Sequence, residues 1–194
     1  MDWLLALLTG YALGSIPFGL LLTRITGTGD LRKIGSGNIG ATNVLRTGRK
    51  GLAAATLLLD LAKGYFAVFL AWQWFPEFVS FAAGGAFLGH CFPVWLRLRG
   101  GKGVATTAGI SLGLAWPVGI AYALVWLAML AITRISSLAG MTAAIVAPLA
   151  AAATGHARFV SVLALIALAV VVLHRANIAR IRAGTEPRVG GSGP

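Results

Sequence analysis

Residues 52–75 read LAAATLLLDLAKGYFAVFLAWQWF. Apart from Asp60 and Lys63 the stretch carries no charge. A helix needs about 20 apolar residues to cross a bilayer, and a run this long fits no ordinary soluble helix. Its two charges stand at i and i+3, on one helix face. Each costs about 2.5–3.5 kcal/mol at mid-membrane on insertion scales, so a paired, protein-facing role is expected. The pairing favours a structural ion pair that positions the loop before this span over direct contact with a ligand.

Working outward, similar apolar runs occupy 3–24, 78–96, 104–116, 117–133, 138–153 and 159–175. The first is too long, and lacks the basic start and small-residue cleavage site, to be a signal peptide. The fourth is too short to cross upright and reads as a half-helix, which is tolerated where protein covers the broken backbone. The third is interrupted by His90 and Pro93. The expected fold is an all-α integral membrane bundle of seven transmembrane helices, some short or broken, forming one domain over 1–194. Bulk composition agrees. Hydrophobic residues make up 58 % of the chain and charged residues 11 %, against about 25 % charged in soluble domains. No role is assigned to the tail from Gly190 to Pro194. Cys91 is the only cysteine, which excludes an internal disulfide.

The net charge is +11. With seven spans, fourteen of the sixteen Lys and Arg residues fall on one face, leaving Arg158 opposite and Lys63 within a span. The positive-inside rule then puts the N-terminus outside and the C-terminus in the cytoplasm. Because the basic residues lie between apolar spans, anionic lipids and small anionic substrates are the expected partners. Nucleic acid is not, and no obligate protein partner is inferred.

Three loops on the basic face carry the chemistry. The first runs Gly35-Ser36-Gly37-Asn38-Ile39-Gly40-Ala41-Thr42-Asn43-Val44-Leu45-Arg46. Its G-x-G-x-x-G is no dinucleotide fingerprint, since no strand precedes it. Its glycines let backbone N–H groups form a concave anion nest, and Ser36, Asn38, Thr42 and Asn43 add side-chain donors. The second runs His90-Cys91-Phe92-Pro93 and then Gly100-Gly101-Lys102-Gly103 before the fourth span. A helix that opens on these glycines offers free N–H groups and the positive end of its dipole, and Lys102 adds a full charge. It is not a Walker A loop, because Leu96 replaces the leading Gly and Gly103 the Ser/Thr. Cys91 reads as a buried structural thiol, since neighbours on a helix point about 100° apart and do not pair. The third runs His174-Arg175-Ala176-Asn177-Ile178-Ala179-Arg180-Ile181-Arg182, followed by Gly184 and Glu186. If the last span continues as helix, His174 and Asn177 share a face. No metal or other cofactor is expected.

Together, Ser-Gly-Asn-Ile-Gly-Ala-Thr-Asn (36–43), Gly-His-x-x-Pro-Val (89–94) with Gly-Gly-Lys-Gly-Val-Ala-Thr (100–106), and His-Arg-x-Asn-Ile-x-Arg (174–180) with Gly184 and Glu186 resemble the three signatures of bacterial acyl-phosphate-dependent glycerol-3-phosphate acyltransferases. The opening Gly14-Ser15-Ile16-Pro17-Phe18-Gly19 is similar too. The departures are Ile181 where Leu is common and Cys91 where Met often sits. The resemblance implies a multi-pass enzyme of the bacterial inner membrane with its active site facing the cytoplasm. It would transfer a fatty acyl group from acyl phosphate to the 1-position of glycerol 3-phosphate, giving lysophosphatidic acid and phosphate. On this analogy Ser36, Arg46, Lys102, His174 and Asn177 are catalytic. Gly37, Asn38, Gly40, Thr42, Asn43, His90, Gly100, Gly101, Gly103 and Ser137 are assigned to substrate and phosphate binding.

The residues suit that chemistry. Both substrates carry phosphate, so two anion receptors are needed, and an acyl phosphate is activated enough to require no covalent intermediate. A hydroxyl need only be held near the carbonyl with donors over the developing oxyanion. Asn177 is the candidate donor, while His174 or the substrate's own phosphate is the candidate base. Acyl-CoA-dependent enzymes with this acceptor resemble a different family that carries His-x4-Asp. Here the positions five residues after His90, His156 and His174 are Trp95, Ser161 and Ala179. A transporter of a phosphorylated metabolite is the alternative. It would place the anion site at the midplane between internal repeats, whereas these motifs sit at span ends and no repeat is evident. A scaffold that reads anionic lipid would explain the charge but not the glycine-rich nests.

Overall fold

The structure, a computed structural model, describes residues 1–190. The expectation for the tail therefore lies, except at Gly190, outside the described residues. Ten α-helices make up the fold, and no strand occurs among the described residues. They are α1 (Asp2–Gly14), α2 (Phe18–Ile25), α3 (Ala41–Leu45), α4 (Lys50–Trp74), α5 (Val79–Cys91), α6 (Val104–Leu114), α7 (Trp116–Thr133), α8 (Ser136–Ala153), α9 (Val160–Leu173) and α10 (Arg175–Arg182).

Five segments are long and apolar enough to cross a membrane: Asp2–Ile25, Lys50–Trp74, Pro76–Leu96, Trp116–Thr133 and Ser136–Ala153. The pair Ala157–Leu173 and Arg175–Arg182, bent by 58°, makes a sixth if counted as one span. Helix α6, with 11 residues, is too short by the same measure.

Several expected boundaries move, each for a local reason. The first segment breaks at Ser15–Pro17, because proline has no N–H to continue the helical ladder. Helix α5 stops at Cys91, since the residue before Pro93 is driven from the helical region. Helix α6 stops at Leu114, where Ala115 is extended with φ −160° and ψ 123°, so Trp116 opens α7. The last span does not continue straight. It ends at Leu173 and turns at His174 into α10.

The ion pair in α4 is formed and buried, with Lys63 Nζ 2.7 Å from Asp60 Oδ1. Lys63 also donates to the carbonyl of Ile16 at 2.8 Å. The pair thus grips the α1–α2 break and reaches the first loop only through α2. Cys91 is buried, as its sequence context suggested.

Glycines set the helix spacing. A Cβ on Gly10 or Gly14 would lie 2.1 Å from the carbonyl oxygen of Ala82 or Ala86 in α5. From the other side, a Cβ on Gly85 or Gly89 would lie 2.1 or 2.2 Å from the carbonyls of Leu7 and Tyr11. Both helices therefore carry a small-xxx-small face, which lets backbones approach in lipid where no hydrophobic force drives them together. Gly64 and Gly109 make the same close contact between α4 and α6. Gly14→Val should accordingly push α1 off α5 and cost about 1–3 kcal/mol, as overpacking does. Gly84 faces open space, and a Cβ there would meet nothing within 4 Å, so Gly84→Ala should leave the thermal midpoint in detergent unchanged or raised. Equal midpoints for the two variants would contradict this account of the packing.

Candidate active site

The three loops meet at one end of the bundle around a cleft of about 120 Å³. Ser36, Asn38, Gly40, Thr42, Asn43, Arg46, His90, Lys102, Gly103, Ser137, His174 and Asn177 all line it. The other three expected phosphate contacts do not. Gly37 and Gly100 border a second, basic groove outside the loops, with Arg32, Lys33, Arg97 and Arg99. Gly101 is buried behind the wall, where a Cβ would lie 2.0 Å from His90 Nε2. Asp60, Ser136 and Glu186 also border the cleft, and none of these was assigned to the site from sequence.

The first loop is held by Asn43. Its Oδ1 accepts from the Ser36 N–H at 3.1 Å, and its Nδ2 donates to the carbonyls of Leu31, Ile34 and Asn38 at 2.8–3.0 Å. Its amide is therefore committed to shaping the nest. Asn38 Oδ1 likewise accepts from the Gly40 N–H at 2.9 Å. What remains turned to the cleft is Ser36, Thr42 and the Arg46 guanidinium. Gly35, at φ +54°, leaves room for Arg46, since a Cβ there would lie 2.9 Å from Arg46 Cδ.

The second loop is clamped from behind. The N–H groups of Gly100 and Gly101 donate to the carbonyls of Cys91 and His90, each at 3.0 Å. Gly103, at φ +81°, turns the chain into α6. The first residues of α3, α6 and α8 all border the cleft, so three helix N-termini converge on it. Their free N–H groups and dipoles favour an anion.

The third loop carries a network that spacing did not reveal. Lys102 Nζ donates to Asn177 Oδ1. Asn177 Nδ2 donates to Glu186 Oε1 at 2.5 Å, and Ser137 Oγ donates to the same oxygen at 2.6 Å. Arg180 Nε donates to Glu186 Oε2 at 2.7 Å. Asn177 thus spends one N–H on Glu186 and orients Lys102, leaving one N–H for an oxyanion. Burial raises the Glu186 pKa, but the bonds from Ser137, Asn177 and Arg180 outweigh it and hold the carboxyl below its ordinary range. Lys102 lies below the ordinary lysine range, through burial first and then repulsion by Arg180. In the sequence Glu186 belongs with Gly184 to the third signature of the resemblance, but no site role was assigned to it.

His174 is buried, with Nδ1 2.8 Å from the Val170 carbonyl. A carbonyl only accepts, so Nδ1 carries the proton and Nε2 is the free nitrogen. His90 Nδ1 lies 3.8 Å from Asp60 Oδ1 across two helices, too far for the hydrogen bond of a His–Asp dyad.

The fold and site define a class: a multi-helix membrane protein with an anion cleft at one end of the bundle. A sequence profile described as glycerol-3-phosphate acyltransferase matches residues 4–184, and the chain belongs to that family. It is 66 % identical to the glycerol-3-phosphate acyltransferase of Novosphingobium aromaticivorans and 62 % identical to that of Erythrobacter litoralis. Each alignment covers 98 % of this chain and 96 % of the relative. The crystal structure of PlsY, an integral membrane glycerol 3-phosphate acyltransferase, in its glycerol 3-phosphate form superposes with a TM-score of 0.92 at 35 % identity, covering 98 % of this chain and 96 % of that one. Its lysophosphatidic acid form superposes with a TM-score of 0.90 at 34 % identity.

Glu186→Gln keeps the shape of the side chain but turns an N–H toward a donor. A hydrogen bond to a charged group is worth about 1.5–3 kcal/mol, so acyl transfer should lose about 10- to 100-fold in kcat/KM. Arg182→Gln, an exposed charge outside the network, is the control. Wild-type kinetics for Glu186→Gln would show that the network does not hold Lys102.

Proposed function

We propose that this acyltransferase moves a fatty acyl group from acyl phosphate to the 1-hydroxyl of glycerol 3-phosphate, releasing lysophosphatidic acid and inorganic phosphate. One observation carries the reading. Two full cations, Arg46 and Lys102, and three helix N-termini face one cleft at the end of an apolar bundle. That is provision for two phosphates at short range, one on the acceptor and one on the leaving group. In the reaction the hydroxyl oxygen attacks the acyl carbonyl and forms the ester bond as the bond to the phosphate oxygen breaks. The electron pair leaves with phosphate. The hydroxyl proton passes to His174 Nε2 or to the acceptor's own phosphate. Lys102, oriented by Asn177, balances charge on the phosphates, and the second Asn177 N–H covers the oxyanion.

The bundle crosses the bacterial inner membrane seven times, with α6 as the short crossing and α9–α10 as the bent one. The N-terminus is outside, and the cleft and the tail are cytoplasmic. The basic bias of the loops supports this sidedness.

Purified protein given glycerol 3-phosphate should make lysophosphatidic acid with palmitoyl phosphate and not with palmitoyl-CoA. The phosphates of CoA lie far from its sulfur, so it supplies no anchor beside the carbonyl. Comparable turnover with CoA would overturn the donor assignment. Sidedness is tested separately, in a Cys91→Ala background. Labels at exposed Lys33→Cys, Arg99→Cys and Arg182→Cys should react from the cytoplasmic face only, and labels at Glu77→Cys and Thr154→Cys from the outer face only. Reaction of positions 33 and 99 from opposite faces would break the topology.

A further inference from the structure

The cleft is bordered on one side by a segment with no regular secondary structure. After α10, Gly184 at φ +70° reverses the chain, and the N–H groups of Gly184 and Thr185 return to the carbonyls of Ile181 and Arg180 at 3.1 and 2.8 Å. Residues 185–189 then run as a strap past the α7–α8 turn. Near its start Glu186 is fixed by Ser137, Asn177 and Arg180, and Pro187 borders the cleft. Its far end is Val189. The Val189 N–H donates to the carbonyl of Arg134 at 2.7 Å, and Arg134 Nε donates back to the carbonyl of Val189 at 3.1 Å. The two fastenings match in register. Val189 lies three residues after Glu186, and Arg134 three residues before Ser137.

Arg134 is an unusual residue for its backbone. It ends α7 in the left-handed conformation at φ +59°, a position where glycine is the common choice because a side chain is strained there. It is exposed and does not border the cleft. Neither burial nor contact with a ligand explains a side chain at this point, whereas its bond to Val189 does. We propose that Arg134 is a positioning residue for acyl transfer, which holds the strap at Val189 and so keeps Glu186 on Asn177 and Asn177 on Lys102. This rests on the reaction proposed above. The coupling is short and stiff. Proline fixes its own φ and restricts the residue before it, so Pro187 carries the position of Val189 back to Glu186. Released at Val189, the strap keeps only the side-chain bonds of Glu186, and the carboxylate loses its fixed approach to Asn177.

Arg134→Gly removes the side chain and suits the left-handed turn. Its kcat/KM for lysophosphatidic acid formation should fall about two- to tenfold, the effect of one hydrogen bond, while the thermal midpoint in detergent stays unchanged or rises. Hydrogen exchange at the Val189 amide should quicken, a readout that needs no substrate. Arg134→Gln places an amide N–H where Nε stands, without the charge, and should recover most of the loss. In a Glu186→Gln background Arg134→Gly should add little, because residues of one network are not additive. Wild-type kinetics or unchanged exchange in Arg134→Gly would overturn the proposal. So would an equal loss in Arg134→Gln, which marks a role for the charge, or an undiminished loss in the Glu186→Gln background, which puts Arg134 outside the network. A lowered thermal midpoint alongside the kinetic loss would mark a role in folding alone and overturn it too. Should Arg134→Gly fail to fold, Arg134→Met, which puts a methyl in place of the donor, is compared with Arg134→Gln instead. Absence of product from wild type would count against the proposed reaction, while the exchange measurement still decides whether Arg134 holds the strap.

Discussion

A buried lysine braces the break on which the site depends. Lys63 sits in the middle of α4, paired with Asp60 and donating to the freed carbonyl of Ile16. A charge at that depth is costly unless it is paired, and an unpaired carbonyl in a broken helix is costly too. Each solves the other's problem. With the break stabilised, α2 leaves the line of α1 and carries Gly19 against the Ile39 carbonyl, where a Cβ would approach to 2.0 Å. That contact seats the loop whose interior is tied by Asn43, and the loop presents Ser36 and Arg46 to the cleft. The chain of dependence runs from a buried ion pair in α4 to the residues that border the cleft.

The cleft also separates the groups that hold shape from those free to hold ligand. Asn43 and Asn38 resemble substrate donors in sequence, yet their side chains are largely committed to backbone groups of their own loop. Glu186 would be an odd choice in a cleft lined by Arg46, Lys102 and three helix N-termini, but its carboxylate faces Ser137, Asn177 and Arg180. Its charge is thus directed at aligning Asn177, which in turn fixes the lysine. The full cations left at the cleft itself are Arg46 and Lys102. The donors were fixed during folding, so binding need not order them again.

Most of the fold was legible because apolar length is a strong signal and does not depend on tertiary contacts. The helix ends were legible less well. Pro17, Pro93 and Ala115 break the ladder at points where hydrophobicity continues, so a window over composition runs through them. The loops were legible as candidate anion sites from their glycines, lysine and polar residues at helix starts, and most of the residues assigned to them line one cleft. Their internal division of labour was not. Whether Asn43 faces a ligand or its own backbone depends on the path of the loop, and Glu186 lies nine residues from Asn177 in an irregular segment. The approach of His90 to Asp60 was invisible for a simpler reason. A motif search looks along one chain segment, whereas this pair joins α4 to α5.

The breaks share one physical solution. No water hydrogen-bonds a broken helix inside a bilayer, so a side chain from elsewhere must. Lys63 takes the carbonyl of Ile16, and Trp95 Nε1 takes that of Ser15 at 3.0 Å. The Tyr11 hydroxyl donates to Phe92 O at 2.7 Å and accepts from the Val94 N–H at 3.0 Å. Trp72 Nε1 donates to Gly113 O at 3.0 Å where α6 stops short, and the Tyr122 hydroxyl donates to Val104 O at 2.9 Å where it begins. Tyr and Trp suit this work, because the ring packs in an apolar core while its polar tip reaches the backbone. Each such bond also ties one break to a different helix. The turn after α5 is fastened to α1 and the ends of α6 to α4 and α7. Short helices and interrupted spans, which look like weaknesses in a membrane bundle, thereby become the means by which the bundle fixes a polar site at its end.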